Sequence, residues 1–142
     1  MDKCHRIESL SIVVYDGHYD KIHYALSMAS TAGALNMATT LFFTMDACSA
    51  LKQNYSWREL PLSGVVGSGQ IMDNNFKVQN IASFEDLLSA CVDLGIKFMV
   101  CEMGLKTQEI TLNELRQDIP FEQGGLATFL SNASKHGSII FI

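Results

Sequence analysis

The chain has 142 residues and a formal net charge of −5, with 48% hydrophobic and 18% charged residues. That composition excludes an intrinsically disordered chain, and the acidic balance argues against nucleic acid or an anionic membrane as a general partner. A single domain spanning 1–142 is the simplest organisation, and its apolar surplus suits burial between copies in a homo-oligomer.

Residues 1–8 are polar and charged, unlike a secretory leader, and no apolar run reaches the about 18 residues that read as a membrane span. The expectation is a cytoplasmic protein with no membrane insertion. Cys4, Cys48, Cys91 and Cys101 form no Cys-x-x-Cys pair, so neither a structural zinc site nor a disulfide framework is indicated. A reducing compartment keeps them as thiols. The four histidines are scattered without a His-x-x-x-His pair, so no metal and no organic cofactor is expected.

Taken in order, Glu8 to Tyr15 is a short, β-branched first strand that stops at the turn pair Asp16-Gly17. From Asp20 to Ala34 apolar residues recur at helical spacing, with Gly33 as terminator. Met37 to Thr44 reads as a second buried strand, completing a βαβ unit, and Asp46 to Lys52 as a short helix. Gln53 to Lys77 reads as irregular, with a fifth strand conceivable around Gly64-Val65-Val66. The glycines from Gly64 to Gly69 match neither phosphate-binding pattern: no Gly-Lys-Ser/Thr follows, and the dinucleotide fingerprint belongs after the first strand.

Ser83 caps the clearest helix, with Asp86 at the capping-box position and Phe84, Leu87, Leu88, Cys91 and Val92 on one face. Ile96 to Cys101 is then a buried strand, Thr111 to Leu115 a short helix, and Gln123 to Ser134 the last helix, burying Leu126, Phe129, Leu130 and Ala133. Ser138 to Ile142 is a terminal strand, apolar as an interior parallel strand should be. Strands alternating with helices define an α/β class with a doubly wound sheet.

Cys101 is the leading candidate for chemistry. It falls where its strand ends, and in an open parallel sheet the carboxyl ends face the binding crevice. A thiol there is expected to be accessible, and helix N-termini nearby favour the thiolate, which is the nucleophile. Gly124 and Gly125 open the last predicted helix, so their amides are expected to face the same crevice and to admit a close approach. Glu102 works against ionisation. The bland alternative is a half-buried cysteine that only packs.

Cys48 lies just beyond the second strand and is a candidate resolving thiol, with a partly buried loop cysteine as the alternative. Cys91 reads as core, and Cys4 as inert in the N-terminal stretch. His18, at the carboxyl end of the first strand, is a candidate acid, base or thiolate partner, or else a solvated loop histidine; His23 flanks the same helix start. His5 and His136 read as surface residues.

These features combine with Phe43-Thr44 after the second strand, Cys91-Val92-Asp93-Leu94-Gly95-Ile96-Lys97 leading to Cys101, and Gln123-Gly124-Gly125-Leu126-Ala127-Thr128-Phe129-Leu130. Together they resemble the DsrE/DsrF-like family of small sulfur-relay proteins, in its peroxiredoxin-like, single-domain branch. The resemblance implies a flavodoxin-like, about five-stranded, mostly parallel sheet with helices on both faces. It also implies a homo-oligomer, trimer or hexamer, and a cysteine that carries sulfane sulfur as a persulfide, at the position of Cys101. The pocket expected around Cys101, from the position of each residue at the carboxyl end of the sheet, takes in Thr44, His18, Cys48, Gly124 and Gly125. Its partners would be sulfur-donor and sulfur-acceptor proteins or low-molecular-weight persulfides. One departure stands out: where relatives carry Met-Gly several residues after the cysteine, this chain has Gln108-Glu109, which alters the pocket floor.

Three functions stay open on the sequence: a sulfur carrier or sulfurtransferase, a non-catalytic oligomeric binding or regulatory module, and a thiol redox sensor. A Cys101 sulfur walled in by aliphatic side chains with no path to solvent would sink the relay reading and leave an oligomer-forming domain with no assigned task.

Overall fold

The computed structural model describes residues 7–133 and 136–142; Cys4 and His5 lie outside the described residues. Strand β1 (Ser9–Val14) leads into helix α1 (Tyr19–Ala34) and strand β2 (Ala38–Phe43), the βαβ unit expected. A 3-10 turn (Met45–Leu51) and another (Ser56–Glu59) follow, then a hairpin of β3 (Pro61–Leu62) and β4 (Val65–Ser68), and helices α2 (Gly69–Val78) and α3 (Phe84–Asp93). Strand β5 (Lys97–Cys101), helix α4 (Glu102–Thr107), a 3-10 turn (Leu112–Glu114), strand β6 (Phe121–Gly124), helix α5 (Leu126–Asn132) and strand β7 (Ser138–Phe141) complete the chain.

Five strands form one sheet in the order β6-β5-β2-β1-β7, with every neighbouring pair parallel. The α/β, flavodoxin-like class read from the sequence is the fold observed. Successive strand residues point to opposite faces. Ile12, Val14, Leu41, Phe43, Phe98 and Val100 therefore join the main core with α1 and α3, while Val13, Phe42, Met99 and Cys101 meet Phe129 of α5 on the other face.

The main core is tied by polar bonds where helices meet. Ser83 and Asp86 make the expected capping box, Ser83 Oγ accepting from Asp86 N–H at 3.1 Å and Asp86 Oδ2 from Ser83 N–H at 3.3 Å, worth about 1 kcal/mol. Asp73 of α2 is buried and accepts from Tyr19 Oη at 2.6 Å and Phe84 N–H at 2.8 Å, joining α1, α2 and α3. Burial, then the hydrogen bond and charge of Asp73, push the Tyr19 hydroxyl far above the ordinary tyrosine range.

The structure corrects five element readings. The apolar terminal strand β7 is an edge strand of the sheet and not an interior one. Val65–Ser68 is a strand, but it pairs antiparallel with β3 outside the main sheet. The fifth sheet strand is β6, whose Gln123 and Gly124 read as helical in sequence. Its ladder to β5 is a long-range pairing that local propensity does not encode. Gln53 to Lys77 is not irregular throughout: α2 occupies 69–78, with Ser68 as N-cap. Gly33 lies inside α1 and does not end it; a Cβ there would stand 2.8 Å from Ile96 Cδ1, so its use is close packing.

Candidate functional site

Cys101 ends β5 and is at once the N-cap of α4, with extended backbone (φ −78°, ψ 127°). Its position at the carboxyl end of the sheet agrees with the sequence reading. Its accessibility does not: the residue is 1% exposed, packed with Val13, Phe42, Met99 and Phe129. The alternation of β5 points the side chain toward the face that α5 covers, and Phe129 stacks on Phe42 with ring centroids 4.6 Å apart and planes at 16°. The thiol expected at an open crevice is closed off by an aromatic lid.

Gly124 and Gly125 are also placed differently. Gly124 is a strand residue directly paired with Cys101 in the β5–β6 register, and Gly125 is the N-cap of α5. They do not form the first turn of a helix together, because β6 consumes the segment predicted to begin it. A Cβ on Gly124 would sit 3.1 Å from Met99 Cε, whereas one on Gly125 meets nothing within 4 Å. Of the four residues expected to be buried in that last helix, Phe129 is buried, Ala133 only partly, and Leu126 and Leu130 are exposed.

Cys48 lies in the 3-10 turn after β2, fully buried on the main-core side, its Sγ 3.7 Å from Phe43 O. Burial, then the neighbouring Cys101 and Asp46, push its thiol up to about 12. The chain needs glycine at 104 for this arrangement: a Cβ there would stand 2.4 Å from Met45 N and 2.9 Å from Cys48 Sγ. Helix α4, which starts at Cys101, thus lies directly on the turn carrying Cys48. Thr44, the N-cap of that turn, is buried and its N–H donates to Val14 O at 3.0 Å. Cys91 is core, as read, its thiol raised to about 12 by burial.

His18 is the N-cap of α1 at the end of β1. Its Nδ1 lies 2.5 Å from Asp16 Oδ1, which also accepts His18 N–H at 2.9 Å. Burial raises the Asp16 pKa, but the hydrogen bonds and charge of His18, helped by Lys21, outweigh it and hold the carboxyl below its ordinary value. His18 lines a crevice of about 470 Å³ with Tyr15, Asp16, Asp46, Ser49 and Gln108 among its walls. Cys101, Cys48 and Thr44 do not line that crevice; Thr44 and Cys48 are buried in the turn whose Asp46 and Ser49 form part of its wall. His23 is buried inside α1, its Nε2 2.9 Å from Ala82 O. Among the described residues no group of three or more His, Cys, Asp or Glu is arranged to hold a metal ion.

Sequence reasoning missed Phe129 as the cover over Cys101 and Asp16 as the partner of His18. The Asp-x-His spacing across a strand-to-helix turn was a signal for the second. Nothing local marked Phe129, whose role depends on where α5 crosses the sheet.

Residues 56–141 match the model of the DsrE/DsrF/DrsH-like family. The chain is 23% identical over 154 residues to the uncharacterized protein YrkE of Bacillus subtilis (strain 168), covering 93% of this chain and 95% of that one. It is 23% identical over 158 residues to the sulfur carrier protein DsrE2 of Allochromatium vinosum, covering 95% and 98%. Two solved structures share the fold. The protein of unknown function MTH1491 from Methanobacterium thermoautotrophicum aligns with a TM-score of 0.63 at 8% identity, over 94% of this chain and 98% of that one. The ychN protein from E. coli aligns with a TM-score of 0.62 at 15% identity, over 96% and 100%.

Proposed function

Because this chain belongs to the DsrE/DsrF/DrsH-like family, we propose that it is a sulfur carrier or sulfurtransferase-like protein that holds sulfane sulfur on Cys101. The observation that carries the reading is the place of this cysteine: it closes a parallel strand and opens a helix at the carboxyl end of the sheet, in a chain similar over nearly its whole length to a protein named a sulfur carrier. In the loading step the Cys101 thiolate attacks the outer sulfur of a donor persulfide R–S–SH. The donor S–S bond breaks, Cys101–S–SH forms, and RS⁻ leaves. An acceptor thiolate then repeats the attack on that outer sulfur and returns Cys101 as thiolate.

The buried thiol sets a condition on this chemistry: α5 must lift from the sheet before a donor reaches it. The helix holds on through a single buried side chain, Phe129, so local opening is far less costly than global unfolding. Donors and acceptors are then sulfur-relay proteins or small persulfides, in the reducing setting of the cytoplasm.

Association between copies belongs to the same reading, as a trimer or hexamer. Tyr15, Leu126, Leu130, Ile139 and Phe141 are all exposed, and Leu126 and Leu130 lie on α5, the helix that covers Cys101. Such an apolar collection suits contact with a second copy.

A second reading has one observation in its favour. Cys101 is as buried as the core around it, which is what a packing cysteine in a non-catalytic module shows. Treatment with polysulfide followed by peptide mass mapping separates the two. The carrier reading expects one added sulfur on the Cys101 peptide of the wild type and none in Cys101→Ala. No adduct, or an equal adduct in the variant, leaves the binding module.

A further inference from the structure

We propose that β7 is a docking edge for the β7 of a second copy, paired antiparallel about a two-fold axis so that two five-stranded sheets join into one. This rests on the proposed association between copies and is independent of the sulfur chemistry at Cys101. Among the described residues β7 pairs with β1 alone. Edge strands of monomers are guarded by charge, by proline or by a covering segment. The other edge, β6, carries Glu122, which meets Lys97 of β5 at 3.4 Å. Residues 138–142 have neither charge nor proline, and apolar side chains stand open on both faces of the strand.

The bonds to β1 fix which backbone groups face outward. His136 O accepts from Glu8 N–H at 3.3 Å, Ile142 N–H donates to Val13 O at 2.8 Å, and Ile142 O accepts from Tyr15 N–H at 2.8 Å. Even-numbered residues of the strand therefore face β1, and by alternation the N–H and C=O groups of Ile139 and Phe141 face away from it. An antiparallel copy of the same strand, centred on Ile140, engages all of these groups. Ile139 exchanges a pair of hydrogen bonds with Phe141 of the partner subunit, and Phe141 does the same with the partner's Ile139.

The side chains suit the same register. Phe141 lies beside Val13 in the ladder, so Ile139 and Phe141 share the α5 face of the sheet and meet across the axis as aromatic and β-branched pairs. On the opposite face Ile140 lies in an apolar groove of about 550 Å³ with Tyr24, Met28, Leu35 and Met37, which the two copies close over each other. Phe141 and Tyr24, 67% and 65% exposed, with Tyr15, Ile139 and Leu35 about half-exposed, offer on the order of 500 Å² of apolar side chain, at about 150–250 Å² for a whole aromatic. With the paired backbone this approaches the roughly 800 Å² per partner of a stable interface. A two-fold contact is self-complementary, so this edge supplies the paired contacts of a hexamer and not the head-to-tail contacts of a trimer.

The test combines amide hydrogen exchange with light scattering over a dilution series of the full chain. In the oligomer the Ile139 and Phe141 amides are expected to be protected. On dilution to monomer they become free, while the Ile142 amide, bonded to Val13 O, stays slow. Ile139→Pro deletes an outward N–H and spares the β1 ladder, as proline does on an edge; Ile139→Ala shortens the side chain and keeps the N–H. The proline variant loses half of the cross-axis bonds, so its dimer Kd should exceed that of the alanine variant about thirtyfold. Unaltered Ile142 protection verifies that both variants fold. An oligomer whose Ile139 and Phe141 amides exchange freely, or equal affinities of the two variants, overturns the edge pairing while association stands. A wild type that is monomeric at about 1 mM overturns both and leaves the edge to an unlike strand.

Discussion

Replacing Phe129 by alanine should release the Cys101 thiol. The Phe129 side chain is 2% exposed and stacks on Phe42 at 4.6 Å. Burying a phenylalanine contributes about 1.5–3 kcal/mol, and an aromatic pair adds about 0.5–1.5 kcal/mol. Removing roughly 3 kcal/mol from the only buried anchor of α5 raises the fraction of molecules with the helix lifted about a hundredfold, at 1.4 kcal/mol per factor of ten. Closing is fast relative to attack by a dilute thiol reagent, so the labelling rate follows that fraction. The assay is reaction with a chromogenic disulfide under native conditions, with peptide mapping to assign the label. Cys48 and Cys91 are the internal control: both are buried with thiols raised to about 12, so they react only on global unfolding. A gain of about a hundredfold at Cys101 alone is the expected result. A gain below about threefold, or equal gains at all three cysteines, refutes the reasoning that α5 is the local cover.

Asp73→Ala should cost about 2–4 kcal/mol in urea unfolding, because it strands the buried Tyr19 hydroxyl and the Phe84 N–H together; a loss below about 1 kcal/mol would show that water replaces the carboxylate. The hydrogen bond and charge of Arg116 hold the Asp118 carboxyl below its ordinary value against the opposing effect of burial. The folded state therefore binds fewer protons there than the unfolded one. That stabilisation is complete above the unfolded pKa of about 3.9 and is lost as pH falls through the lower folded value. Asp118→Asn should flatten the dependence of unfolding free energy on pH in that acid window, and an unchanged slope contradicts the pairing. Phe141 is 67% exposed on the edge strand, and Phe141→Asp should shift the protein toward monomer in light scattering coupled to size exclusion; an unaltered mass excludes this face from association.

How far the sequence reached depended on whether each feature was local. The β1–α1–β2 unit, α3 with its Ser83–Asp86 box and the strand into Cys101 were legible, because alternation, helical spacing and caps act within about a dozen residues. Strand β6 was hidden, since Glu-Gln-Gly-Gly has little strand character and becomes a strand only by pairing with β5. Helix α2 was hidden by the glycines before it, although Ser68 stood as an N-cap and Met72 and Phe76 shared a face.

The site divided along the same line. That Cys101 ends a strand was readable; which face its sulfur occupies follows from the register of five strands, and what lies over it from the path of α5. The Asp16–His18 pair is two residues apart and was open to inspection, but the crevice it borders also takes Asp46 and Gln108 from segments beyond β2 and β5, which no local pattern joins.

The most direct measurement of the central claim is a single-turnover transfer. Protein loaded with heavy-isotope sulfane sulfur is mixed with an excess of acceptor thiol, and the acceptor persulfide is trapped and weighed. The carrier account predicts labelled acceptor appearing as label leaves Cys101, faster in Phe129→Ala and absent in Cys101→Ser. Transfer that persists undiminished in Cys101→Ser, or a wild type that never takes up the label, contradicts it.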